Sequence, residues 1–307
     1  MLSLVLAQSI LELFLMIAMG FALVRSGVIR SKDCLGLSVV TLNIICPCMN
    51  ITAFQVDFTP EVRTGFLLAL VAGIVVQLVF WGLSELFGKF LHFDAVEKTS
   101  AIYSNCGNLV IPLVVSLLGS QWVIYTMAYT VFQTFLIWSH GKATLAGRNS
   151  VDFRHMFFSI NMLSIYVGIV LLLTGWRLPG PLYDAVSAVG NMIGPISMLI
   201  TGIIMGGMSF KEIFGRKRLI YPVLFRLVVF PLITVALLKF TGIASFSPIG
   251  TSVLLITLLA ASAPAASTLN QMAQIYDRDA GYASSINVVS TLCCIVTMPI
   301  MVALYLM

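Results

Sequence analysis

The sequence predicts an all-α membrane protein of ten transmembrane helices, arranged as two inverted five-helix repeats with broken crossover helices 4 and 9. Three observations carry this expectation. The 307 residues are 59% hydrophobic and 9% charged, with mean hydropathy +1.03, whereas a soluble domain carries about 25% charged residues. Ten apolar stretches, each close to the ~20 residues that a spanning helix needs, follow one another along the chain. Finally, Asn43-Ile-Ile-Cys-Pro47 returns 148 positions later as Asn191-Met-Ile-Gly-Pro195.

The stretches cover 3–24, 35–56, 63–87, 97–118, 121–139, 157–175, 183–207, 218–240, 250–270 and 281–306. The first has no basic segment before it and exceeds the 7–15 apolar residues of a signal peptide, so it is read as a span. Stretches two and seven carry Pro47 and Pro195, read as helix-breaking scaffold prolines. Stretches four and nine are the least apolar and hold Pro112 and Pro264, 152 positions apart. Stretch three has Gln77 and stretch eight has Arg226, 149 positions apart. In stretch five, Tyr125, Tyr129 and Gln133 recur every four residues on one helix face.

Five spans per copy is an odd number, so the second copy enters the membrane the opposite way round. This is the arrangement of secondary transporters, which bind near the midplane where interrupted helices meet. The first repeat is placed at 1–140, a short linker at 141–156 and the second repeat at 157–307. The 17 Lys+Arg against 12 Asp+Glu give a formal charge of +5. Thirteen of those cations, among them Arg30, Lys98, Arg148, Arg154 and Arg218, fall in loops on one side, and only Arg63, Arg177 and Lys239 on the other. Positive charge is retained in the cytoplasm. A cell-membrane location with both termini extracytoplasmic follows, and the surplus needs no nucleic-acid partner.

The chemistry concentrates in stretches four and nine. Proline removes a backbone donor and clashes one turn back, and the groups so freed need partners inside a membrane. Ser104-Asn105-Cys106-Gly107-Asn108 precedes Pro112, and Ser262, Ser267 and Asn270 surround Pro264. Asn105, Asn108, Pro112, Pro264, Ser262, Ser267 and Gln133 are therefore the candidate substrate-binding residues. Half-helix N-termini favour anions, so a small anion is the expected ligand. Two ionisable groups well inside spans, Arg226 and Glu12, are candidates for charge recognition or coupling; Arg226 either meets a carboxylate ligand or pairs internally, for instance with Glu12. The six cysteines lack zinc-site spacing, no metal or cofactor is expected, and no hydrolase motif argues for an enzyme. His92, His140 and His155 read as solvated or headgroup-facing groups beside cytoplasmic loops.

Taken together, the pattern from Asn105 to Pro112 (Asn-x-Gly-Asn-x-x-x-Pro), the Ala-x-Ala-Pro264 segment, and Pro47, Pro195 and Pro299 resemble the auxin efflux carrier family over the whole chain. That family includes the plant PIN-type carriers and bacterial organic-acid permeases. The resemblance implies a dimerising scaffold from helices 1, 2, 6 and 7, and a transport unit from helices 3–5 and 8–10 that moves as an elevator. It places Asn105, Pro112 and Pro264 at the crossover site, with Gln133 a looser match. Val110 stands where many relatives have glycine. The plant carriers have an acid and a lysine in helix 3, which is charge-free here between Arg63 and Glu85, and this speaks against auxin as cargo.

The expected function is secondary transport of a small organic anion, a mono- or dicarboxylate such as malate or malonate, by a homodimer. Proton coupling, sodium coupling and uniport all stay open. The rivals are a sodium-coupled symporter of the bile-acid type, which would carry more oxygen donors near segment 9, and a non-transporting sensor, which would append a signalling domain.

Overall fold

The computed structural model describes residues 2–147 and 157–307, and these are helical with no strand among them. Arg148, Arg154, His155 and most of the expected linker lie outside the described residues. The helices are α1 (Leu2–Arg25), α2 (Ser31–Ala53), α3 (Pro60–Leu91), α4a (Ala95–Ile102), α4b (Cys106–Leu118), α5 (123–146) and α6 (Ile160–Thr174). They continue with α7a (Gly180–Gly190), α7b (Ile193–Gly207), α8 (Lys217–Phe240), α9a (Gly250–Ser262), α9b (Ser267–Ile275) and α10 (Ala280–Leu306). Among the described residues, α2, α3, Gly180–Gly207, α8 and α10 are long and apolar enough to cross a membrane.

Local chemistry sets several boundaries. Thr59 caps α3 by accepting from the Val62 N–H, and Pro60 occupies the first turn, where its missing donor is harmless. α3 ends at His92, in the left-handed conformation with φ 53°. Two residues later Asp94 starts α4a through a reciprocal capping box with Glu97.

The helices pack in two groups. In one, α1 lies along α7b, while α6 and α7a lie on the second half of α2. The α1–α7b contact depends on absent side chains: a Cβ on Gly20 would strike the Leu199 carbonyl, and one on Gly202 would strike the Ile17 carbonyl. Small residues let helix backbones approach where no hydrophobic driving force separates lipid from protein. In the other group, α3 packs on α5, and α9a is enclosed by α3, α5, α8 and α10. Rings of Phe80 and Phe230 stack there at 4.8 Å.

The prolines behave differently from the expectation that they mark the breaks. Pro47, Pro112 and Pro231 each follow a π-turn by two positions: Thr41–Ile45, Cys106–Val110 and Phe225–Val229. One extra residue per turn gives the carbonyl four residues back room to leave the ring, so the helix widens instead of ending. Helix 2 accordingly runs through Pro47, and Pro112 sits inside α4b. The break in helix 4 lies earlier, at Tyr103–Asn105, whereas Pro264 is within the break of helix 9. The interruption in helix 7 falls at Asn191–Met192, before Pro195.

Candidate functional site

The breaks at Tyr103–Asn105 and Ala263–Ala266 lie against each other. Ser104 and Ala265 form an antiparallel bridge, with the Asn105 N–H donating to the Pro264 carbonyl at 2.7 Å and the Ala266 N–H to the Tyr103 carbonyl at 3.0 Å. Two unwound segments thus satisfy part of each other's backbone.

The remainder comes from α5 and α10. The Gln133 carbonyl oxygen accepts from the Ser104 N–H at 3.0 Å and its amide donates to the Ser104 carbonyl at 2.7 Å. Gln77 of α3 donates to the same Gln133 oxygen at 2.9 Å. Across the crossing, the Ala265 N–H donates to the Ser290 hydroxyl at 3.1 Å and the Asn287 amide donates to the Ala265 carbonyl at 2.6 Å. Each break is therefore held at one residue by side chains of the helix that follows it.

Arg226, fully buried, lies in the π-turn before Pro231. Its Nε donates to the Ala263 carbonyl at 2.8 Å, Nη1 to the Ala101 and Ile102 carbonyls at 3.2 and 2.8 Å, and Nη2 to the Ala261 carbonyl. These carbonyls end α4a and α9a, so one guanidinium neutralises the negative ends of two half-helices. The Phe80 ring lies 5.4 Å below it. Arg226 is engaged by backbone, and Glu12 is exposed on α1, so the two do not pair.

The opposite ends are different. α4b and α9b begin at Cys106 and Ser267, neither has an acid in its first turn, and Asn108 donates to the Ser267 hydroxyl at 3.2 Å. Gly107, Asn108, Ser267 and Thr268 are half-buried, which makes this the accessible face of the crossing. The Asn105 side chain is buried at the crossing. The Ser262 hydroxyl is buried with no hydrogen-bond partner among the described residues. Pro112 faces α7b, where a Cβ on Gly194 would come within 2.7 Å of its ring.

The structure thus brings together Asn105, Asn108, Ser262, Ser267, Pro264, Gln133 and Arg226. It leaves Glu12, Pro47 and Pro195 away from the crossing, and sets Pro112 one turn beyond the accessible face. Glu97, Asn287 and Ser290 were passed over in the sequence, and His140, read there as solvated or headgroup-facing, is instead largely buried, with 16% side-chain exposure. Glu97 is fully buried and accepts from Arg218 Nε at 2.7 Å and the Tyr282 hydroxyl at 2.9 Å, joining α4a to α8 and α10. His140 is packed between Trp81 and Tyr103. An acid three residues after Asp94 signals Glu97 as a capping residue but not its burial; nothing local marks His140.

A family model described as membrane transport protein matches the chain over residues 5–152 and 142–302. No curated protein matches it.

Proposed function

The chain belongs to the membrane transport protein family, the auxin efflux carrier family, which comprises transporters and not enzymes, and from that membership we propose that it carries a small organic anion of the mono- or dicarboxylate class. The observation that carries this reading is the asymmetry of the crossing. Its negative half-helix ends are closed by Arg226, while its positive ends at Cys106 and Ser267 meet side by side with amides and hydroxyls and no acid. Such a surface replaces the hydration of a carboxylate and offsets its charge through fixed dipoles.

The ten helices serve as ten spans in inverted halves, with the termini outside the cell membrane. The α1, α2, α6, α7 group acts as the dimerising scaffold, and the α3–α5, α8–α10 group as the elevator. The Gly194–Pro112 contact is the point at which the groups would slide. Two correspondences favour duplication: Gln77 and Arg226, 149 positions apart, both face the crossing, and Gln133 and the Asn287–Ser290 pair grip Ser104 and Ala265.

The test is thermal stabilisation of purified protein by a panel of carboxylates including malate and malonate, repeated with Asn105→Ala. Binding raises apparent stability by mass action. Stabilisation by at least one carboxylate, lost in the variant, is expected; an unresponsive protein or an unchanged variant rejects the reading.

A further inference from the structure

His140 occupies the π-turn Ile137–Gly141 of α5, and this π-turn, unlike those before Pro47, Pro112 and Pro231, has no proline to explain it. π-turns mark functional positions in helices often enough to ask what this one arranges. It brings together a chain of polar groups that runs from a partly exposed carboxylate to the break in helix 4. Gly141 makes room for it: a Cβ there would come within 3.2 Å of the Tyr103 ring, which lies across the helix.

One assignment of the hydrogen-bond protons is consistent with all of these contacts. The Tyr103 hydroxyl has one proton, and it donates to the Leu136 carbonyl at 3.1 Å, which can only accept. In that assignment His140 Nδ1, 2.7 Å from the same hydroxyl, carries a proton and donates. In the neutral ring this leaves Nε2 bare. Its neighbours are Glu85 Oε1 at 3.6 Å and the Thr144 hydroxyl at 3.3 Å. Thr144 gives its own proton to the His140 carbonyl at 2.8 Å, so it too offers only a lone pair. A bare Nε2 faces two acceptors and no donor; a protonated Nε2 satisfies both. The ionisable groups facing the ring are Glu85 from α3, Lys98 from α4a and Tyr103 from the break, and Lys98 Nζ holds the second Glu85 oxygen at 3.1 Å. With side-chain exposure of 39% for Glu85 and 16% for His140, Glu85 is the more accessible end of this chain of groups.

We propose that His140 is a proton-binding site, loaded beside Glu85, whose occupancy is transmitted through Tyr103 to the crossing of the two broken helices. The bound proton comes from water and rests on Nε2, Glu85 remaining a carboxylate. Protonation strengthens the Nδ1–H bond to Tyr103, whose carbonyl accepts from the Ala266 N–H in the other break. The proposal deepens the transport reading by giving it a coupling proton, and it rests on that reading only for the use made of the proton.

Trp81 supplies the reporter, because its ring centroid lies 5.0 Å from that of His140 and an imidazolium quenches indole emission. In micelles, tryptophan emission titrated between about pH 4 and 8 is expected to show a one-proton transition. It should vanish in His140→Gln and persist in His92→Gln. Glu85→Gln removes the anion that favours the imidazolium and should weaken proton binding about tenfold. If that variant does not fold, Lys98→Met must shift the midpoint the other way. Tyr103→Phe should keep the transition but remove the pH dependence of amide-exchange protection in residues 103–106, after correction for intrinsic exchange. A transition that survives His140→Gln, or a pH dependence that survives Tyr103→Phe, overturns the proposal. None of these readouts needs a substrate. A loss of the transition with malonate uptake into proteoliposomes intact sinks this proposal alone; an intact transition with no carboxylate transported sinks the transport reading alone.

Discussion

The two sides of the helix crossing are built on opposite principles. On the side where α4a and α9a end, Arg226 engages the Ala101, Ile102, Ala261 and Ala263 carbonyls, its guanidinium is fully buried and, among the described residues, no acid takes part. On the side where α4b and α9b begin, the groups are neutral, half-buried and lightly bonded, with Asn108 on Ser267 as the one side-chain hydrogen bond between them among the described residues. With its hydrogen bonds given to helix-end carbonyls, Arg226 holds the two half-helices together, and on the proposed reading the positive ends are what a ligand meets. The lesson is that a lone arginine in a membrane helix need not touch cargo: its partners decide, and here they are backbone.

If this contrast is right, damage on the closed side is a loss of fold and damage on the open side is a loss of binding. The largest effect belongs to Arg226→Met, which strands four carbonyls. At about 1–3 kcal/mol for each unsatisfied buried group, we expect thermal unfolding to report a loss of about 4 kcal/mol or more. Arg226→Lys should recover only part of it, because an ammonium lacks the planar fork that spans two helix ends. Next, Gln133→Leu removes the three hydrogen bonds that Ser104 makes with it, through its N–H, hydroxyl and carbonyl, and should cost about 2–3 kcal/mol in the same assay. Asn287→Leu should cost less, since Ser290 still accepts from the Ala265 N–H. A larger loss for Asn287→Leu would break the picture of a one-residue clamp on the first break and a two-residue clamp on the second.

Away from the crossing, Gly202→Val should cost about 1–3 kcal/mol by forcing α1 from α7b while leaving the midpoint of carboxylate stabilisation where it is. The smallest stability effect belongs to Asn108→Ala, below about 1.5 kcal/mol because the bond lost is only half-buried. That variant should nonetheless weaken carboxylate binding about tenfold or more, as read from the concentration dependence of the thermal shift.

Much of the helical layout was legible in the sequence, since long apolar runs such as 63–87 and 281–306 lie inside α3 and α10. The polar character of segments 4 and 9 was legible too, because Asn105, Asn108, Ser262 and Ser267 stand out against an apolar chain. The position of the break in helix 4 was not. It follows from pairing of Ser104 with Ala265, 161 residues away, and the local signal of Pro112 instead produces a π-turn. This also means that Pro112 and Pro264, though 152 positions apart, are not structural counterparts. The role of Arg226 was illegible for a related reason: its partners are backbone carbonyls, which carry no residue-type signature. His140 was hidden because its surroundings come from three helices, and a histidine next to a loop looks solvated until Trp81 and Tyr103 are folded against it.

The most direct test of the anion-binding claim is Asn108→Asp. An acid in the first turn of α4b complements its helix dipole and should leave thermal stability unchanged or raise it by about 0.3–1 kcal/mol. It also puts a negative charge where the ligand's charge must sit. The account predicts a folded protein whose stabilisation by the best carboxylate is abolished; a variant that still responds to that carboxylate with wild-type affinity would contradict it.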